Sequence, residues 1–212
     1  MKIVSWNVNS IRVRLEILTN WLKEHQPDGL LLQEIKCQAP AFPLEAIEDL
    51  GYNIAIHGQK TFNGVAILSK HPLEDIQCGL PGFEEDPQAR YIEAVTNGVR
   101  VSSVYVPNGQ TVGSEKFAYK LIFLEKLRHH LQATLHYEEA FVIGGDYNIA
   151  PTDLDVADPA AWDGEILCSL QERKAFQSLL NLGYRDAFRV NHPLEKVYSW
   201  WDYRSQAWPK NE

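Results

Sequence analysis

Cysteine is scarce in this chain: three in 212 residues, at Cys37, Cys78 and Cys168, far apart and with no CxxC pair. The odd count and wide spacing support neither a disulfide framework nor a zinc site, and they point to a reducing compartment. Long apolar runs are lacking too. No stretch approaches the ~20 residues that a membrane-spanning helix needs. The N-terminus, MKIVSWNVNS, has polar residues where a signal peptide requires an apolar core. The cytoplasm is the expected location, with no membrane partner. Positive charge is the minority: Lys and Arg number 20 against 28 Asp and Glu, for a formal net charge of -8. A polybasic, histone-like protein is excluded, while a few well-aimed phosphate contacts are not. Repeats, low-complexity tracts and dividing linkers are absent as well.

What remains is an ordinary globular composition, 45% hydrophobic and 23% charged. The length fits one large domain or two small ones, and the pattern reads as a single α/β domain over residues 1–212. Ile3–Trp6 is an apolar burst that ends in Asn7. Ser10 stands as an N-cap before Ile11, Leu15, Leu18 and Leu22, which recur at helical spacing until Pro27. Gly29–Glu34 is a short apolar strand that ends on a carboxylate. Leu44–Leu50 reads as a short helix closed by Gly51, and Tyr52–Ile56 and Val65–Leu68 read as strands. Residues 71–89 hold three prolines and read as loop.

Val99–Val106 is another strand, stopped by Pro107. Ser114 opens a long helix, and Ala140–Ile143 is a buried strand that runs into Gly144-Gly145-Asp146. Pro151–Gly164 is a polar loop. Ser169 and Glu172 form a capping box for a helix that Gly183 ends, and Tyr198–Tyr203 is a final aromatic strand. Several strands therefore exit in a polar residue: Asn7, Glu34, Tyr105 with Asn108, and Asp146 with Asn148. Ligands of α/β folds gather outside the carboxyl ends of strands. Two carboxylates, amides and a phenol suit a hard divalent cation that keeps several waters and meets a phosphate, and they do not suit zinc.

The strings IVSWNVNSIR, LLLQEIKC, NGVAILSK, YVPNG, GGDYNIAPTDLDV and YSWWDYRS occur here in the order found in the exonuclease III family. The chain resembles that family of abasic-site endonucleases, part of the endonuclease/exonuclease/phosphatase superfamily, from Lys2 to about Trp208. The resemblance implies a four-layer α/β sandwich of two mixed sheets flanked by helices. It also implies Mg²⁺-dependent hydrolysis of the phosphodiester 5′ to an abasic site in base-excision repair, with Mn²⁺ as a possible substitute. The family further brings 3′→5′ exonuclease and 3′-end cleaning activity. The implied substrate is duplex DNA with abasic sites or blocked 3′ ends, handled by a monomer.

In the same way Glu34 is the implied principal metal ligand, Asn7 orders metal and carboxylate, and Asn9 lies near the metal where some relatives carry Asp. Asp146 activates or orients the attacking water, and Asn148 positions nucleotide and nucleophile. Tyr105 and Asn108 contact the scissile phosphate, and Trp200 lines the pocket for a flipped-out sugar. Arg90, Lys116 and Lys120 are candidates for DNA-backbone contacts, and Trp162 for insertion into DNA. Trp6, Trp21 and Trp201 are read as core, and Cys37 as a small buried residue.

Members of the family continue through closing GxRIDxxL and SDHxP elements, for which no counterpart stands before Glu212. The expectation is therefore an incomplete member, with the C-terminal strands of one sheet and the closing Asp-His pair missing. Two alternatives follow: a non-catalytic DNA-binding remnant, and a superfamily phosphohydrolase acting on a non-DNA phosphoester.

Overall fold

The apolar bursts of the sequence become strands of two four-stranded sheets. The protein is described by a computed structural model, over residues 1–201. Met1–Val106 and Ala133–Tyr147 make one compact unit, and Pro107–Gln132 with residues 148–201 make a second.

In the first unit, β1 (Ile3–Asn7), β2 (Gly29–Gln33), β3 (Asn53–His57) and β4 (Val65–Ser69) form a sheet in the order β1-β2-β4-β3. β1 and β2 are parallel and the other neighbours antiparallel. A parallel pair needs a crossover, which α1 (Ile11–His25) supplies. The other sheet takes β5 (Glu74–Cys78), β6 (Tyr91–Thr96), β7 (Val99–Tyr105) and β8 (Phe141–Asp146) in sequence order, with only β7 and β8 parallel.

Alternation along β2 divides the apolar core in two. Leu30 and Leu32 pack with Ile11, Leu18 and Leu22 of α1 and with Ile47 of α2 (Leu44–Glu48). Leu31 points the other way, joining Ala55, Val65 and Ile67 against Ile92, Ala94 and Val101 of the second sheet. The sheets approach closely at Gly144, where a Cβ would come within 2.5 Å of Leu31 Cδ1. At Gly145 a Cβ would stand 2.0 Å from the Val104 carbonyl oxygen. The Gly-Gly pair is thus demanded by packing inside a strand, not by a turn.

In the second unit, α3 (Glu115–Thr134) starts where Ser114 Oγ accepts the Phe117 N–H at 3.2 Å. α4 (Pro159–Trp162) interrupts the polar segment expected as loop, and its N-cap Asp158 accepts from Ala160 and Ala161. The predicted capping box closes reciprocally at the start of α5 (Leu170–Leu180), Ser169 and Glu172 each taking the other's backbone N–H. α6 (Ala187–Asn191) follows Asp186.

The architecture is the expected α/β class, two mixed sheets flanked by helices. Four further expectations are corrected. Residues 71–89 contain β5, every residue of which is exposed, so no apolar signal marks it. β6 is an unanticipated strand, turned onto β7 by Asn97 and Gly98 at positive φ. Ser10 makes no side-chain cap; at φ 90° it turns its N–H onto the Glu34 carbonyl at 2.7 Å. Tyr198–Trp201 are not strand, and Asp202 and Tyr203 lie outside the described residues.

Candidate active site

Parallel pairing sets two strand exits side by side in each sheet: Asn7 is in register with Gln33, the residue before Glu34, and Tyr105 is in register with Asp146. Packing of the sheets then brings the four polar ends together. The Asn7 amide donates to Glu34 Oε1 at 2.8 Å and to Asp146 Oδ2 at 2.9 Å, bridging two carboxylates 112 residues apart in sequence (146 − 34). The Tyr105 hydroxyl donates to Glu34 Oε1 at 2.9 Å. Asn7 is itself fixed, its Oδ1 accepting the Asn9 N–H at 3.0 Å.

Glu34 holds its position at φ 52° and Lys36 at φ 53°, left-handed conformations that side chains other than Gly, Asn and Asp seldom adopt. The surrounding backbone holds them there, with Ile35 N–H on the Gly64 carbonyl at 3.1 Å and Lys36 N–H on the Asn63 carbonyl at 2.9 Å. This double turn brings the Lys36 ammonium back to Glu34 Oε2 at 2.8 Å and onto Asn9 Oδ1. Sequence reasoning missed Lys36. It lies inside the QEIKC string, but its meeting with Glu34 depends on a backbone conformation that residue type does not announce.

Electrostatics sorts the protons. Burial works against ionisation of Glu34, but Lys36, Asn7 and Tyr105 outweigh it and hold its carboxyl below the ordinary value. Burial, then the Glu34 charge and hydrogen bond, push the Tyr105 phenol far above its usual range, so it remains a donor. Arg90 lies over the Tyr105 ring at 4.8 Å and donates to the Tyr105 carbonyl at 3.2 Å. It braces that strand end from the side.

In the second unit the amides of Asn108 and Asn148 meet, Asn108 Nδ2 donating to Asn148 Oδ1 at 3.3 Å. Asn108 closes its own turn by accepting the Gln110 N–H at 3.0 Å. Lys120 departs from expectation. It is fully buried, and its ammonium is engaged by the Asn108 and Asn148 carbonyls and by Glu172. Its role is internal, and the expected contact with a DNA backbone is corrected. Trp200 is 54% exposed, in irregular chain. Trp162 is half-buried and ends α4. Trp6 and Trp21 pack against the core and meet edge to face, 6.0 Å between ring centroids, and Cys37 is buried.

The donor set is one of hard oxygens. Among the described residues no group of three or more His, Cys, Asp and Glu assembles. Glu34 with Asn9 Oδ1 already embraces one cationic group, the Lys36 ammonium. Few protein oxygens and an existing cation cradle fit a hard divalent ion that retains most of its water.

These features are those of a phosphoesterase, and the sequence agrees: residues 4–212 match the model of the Endonuclease/Exonuclease/phosphatase family. The chain belongs to that family, whose members are generally dependent on a divalent metal. It is 36% identical over its whole length to exodeoxyribonuclease III of Haemophilus influenzae, of which it covers 84%. A 3′ phosphatase from Neisseria, solved with a product DNA hairpin, superposes with a TM-score of 0.97 at 42% identity, over 100% of this chain and 82% of that one. An AP endonuclease from Archaeoglobus fulgidus gives 0.93 at 40% identity, over 99% and 82%. With these relatives the chain is a hydrolase of the exodeoxyribonuclease III type.

Proposed function

We propose that this DNA repair nuclease hydrolyses the phosphodiester 5′ to an abasic site in duplex DNA, and that the same centre trims blocked 3′ ends. The observation that carries the reading is the Asn7 amide bridging Glu34 and Asp146, with the Tyr105 hydroxyl on the same Glu34 oxygen. Two carboxylates held together but differently partnered can divide two tasks, cation binding and water activation. The names of the relatives support DNA as substrate.

Glu34, with Asn9 and Asn7 beside it, would hold Mg²⁺ or its substitute Mn²⁺, which when bound supplies charge neutralisation at the phosphate. Asp146 takes the proton of the attacking water. Asn7 fixes the direction of that carboxylate. The protonated Tyr105 has one O–H, which would turn from Glu34 to a phosphate oxygen as negative charge grows there. Asn108 and Asn148 supply amide donors to the same class of group. Trp200 offers an exposed indole for the unpaired sugar. The three free thiols, two of them buried, support a cytoplasmic setting.

The test is strand incision of a duplex carrying one abasic site. Incision should need added Mg²⁺, stop with chelator, and fall by about three orders of magnitude in Asp146→Asn, on the scale of losing one member of a catalytic unit. Incision of an undamaged duplex at the same rate, or an unchanged rate in Asp146→Asn, refutes the mechanism.

A further inference from the structure

Lys120 and Glu172 are both fully buried, and they form an ion pair that the chemistry above leaves unused. A lysine ammonium has three protons to place. Here one goes to Glu172, one to the Asn108 carbonyl at 3.1 Å and one to the Asn148 carbonyl at 2.6 Å. Those acceptors are the backbones of the two residues whose side-chain amides meet at 3.3 Å. The chain also passes close above the lysine stem, where a Cβ on Gly109 would lie 3.2 Å from Lys120 Cδ. Gly109 stands at φ +89°, so the turn presenting Asn108 is shaped to this approach.

Glu172 is anchored in turn. Its Oε1 accepts the Leu167 N–H at 3.0 Å, and its Oε2 accepts the Ser169 N–H at 3.1 Å and the Ser169 hydroxyl at 2.5 Å. The Leu167 carbonyl then takes the Ala150 N–H at 2.8 Å, two residues beyond Asn148. Asn148 needs such support, since it sits at a left-handed φ of 49°. Stability alone is a weak reason for a buried ion pair, because apolar residues of like volume commonly serve as well. A fixed, multi-pronged cation does what apolar residues do not: it sets the direction of two carbonyls, and through the peptide planes the direction of the amides that follow.

We propose that Lys120, held by Glu172, is the positioning residue for Asn108 and Asn148, fixing the direction in which their paired amides are presented to substrate. The proposal rests on the nuclease reading above, and its test separates the two. Lys120→Met, Glu172→Gln and a packing control on the same helix, the buried Leu124→Ala, are compared in the 212-residue chain. Incision of abasic duplex gives kcat and KM, and thermal melting gives stability. Lys120→Met should lower kcat about 100-fold with KM changed less than about threefold, the pattern of an interaction expressed in the transition state.

Glu172→Gln should lower kcat about tenfold, while Leu124→Ala, compared at a temperature where each is folded, should leave it unchanged. In an Asn148→Ala background, Lys120→Met should cost less than about threefold more, because it acts through that residue. Side-chain amide NMR signals of Asn108 and Asn148, recorded without DNA, should move in Lys120→Met and Glu172→Gln but not in Leu124→Ala. A full 100-fold loss added on top of Asn148→Ala, or amide signals that stay in place, overturns the proposal. If Lys120→Met does not fold, Glu172→Gln carries the same comparisons. A parent chain that never nicks DNA refutes the nuclease reading, and the amide spectra then decide the positioning claim alone.

Discussion

Asn7 stands between two carboxylates, and a single NH₂ group gives one proton to each. An amide is the right choice there. It bonds both anions without adding a charge that would compete with a cation, and unlike a lysine it has an oxygen left to be held by the Asn9 N–H. Removal of the side chain frees Glu34 and Asp146 to repel one another and to turn. Asn7→Ala should therefore lower kcat for abasic-site incision by about 100-fold, the cost of misplacing catalytic groups by roughly an ångström. Asn7→Asp should be worse than Asn7→Ala, since a third carboxylate replaces the donor. Steady-state kinetics of the two variants checks the order, and an Asn7→Asp enzyme faster than Asn7→Ala would contradict it.

Among the elements, β8 shows how packing sets the site. Its Gly144-Gly145 pair lets one face of the strand close on Leu31 and the other residue slide under the Val104 carbonyl, so Asp146 emerges beside Tyr105. Gly145→Ala would drive a methyl into backbone that has no flexible end to yield. The expected loss is about 2–3 kcal/mol of stability, at the upper end for overpacking, together with a fall in incision rate as Asp146 is displaced; urea unfolding and kinetics measure the two. A variant with unchanged unfolding midpoint would mean that β7 and β8 separate without cost. The same elements show what residue patterns reveal. β1, β2 and β8 were legible because apolar runs led into Asn7, Glu34 or Asp146. β5 was not, because an edge strand with all five residues exposed carries no apolar pattern. Lys36 was missed and Lys120 was read as a DNA contact for another reason. Their partners are set by a left-handed turn in one case, and in the other by a meeting of residues 52 apart in sequence.

For the molecule as a whole, charge is the property most at odds with a DNA substrate. At -8 the chain repels a polyanion at long range, and the structure withdraws one further cation from the surface by burying Lys120. Binding must then rest on a few short-range contacts and on a divalent cation at Glu34. A contact surface with about four phosphate contacts has a slope near -3.6 in log affinity against log salt. Between 50 and 200 mM NaCl, affinity for abasic duplex should therefore fall about 100-fold. Long-range repulsion is screened over the same range, with a Debye length shrinking below about 10 Å, so the measured slope should be somewhat shallower than the contact count alone dictates. Fluorescence anisotropy with Ca²⁺ in place of Mg²⁺, to hold binding apart from cleavage, gives the slope directly. A slope near -8 would require a broad basic surface that this composition does not supply, and a slope near zero would mean that recognition bypasses the phosphates altogether.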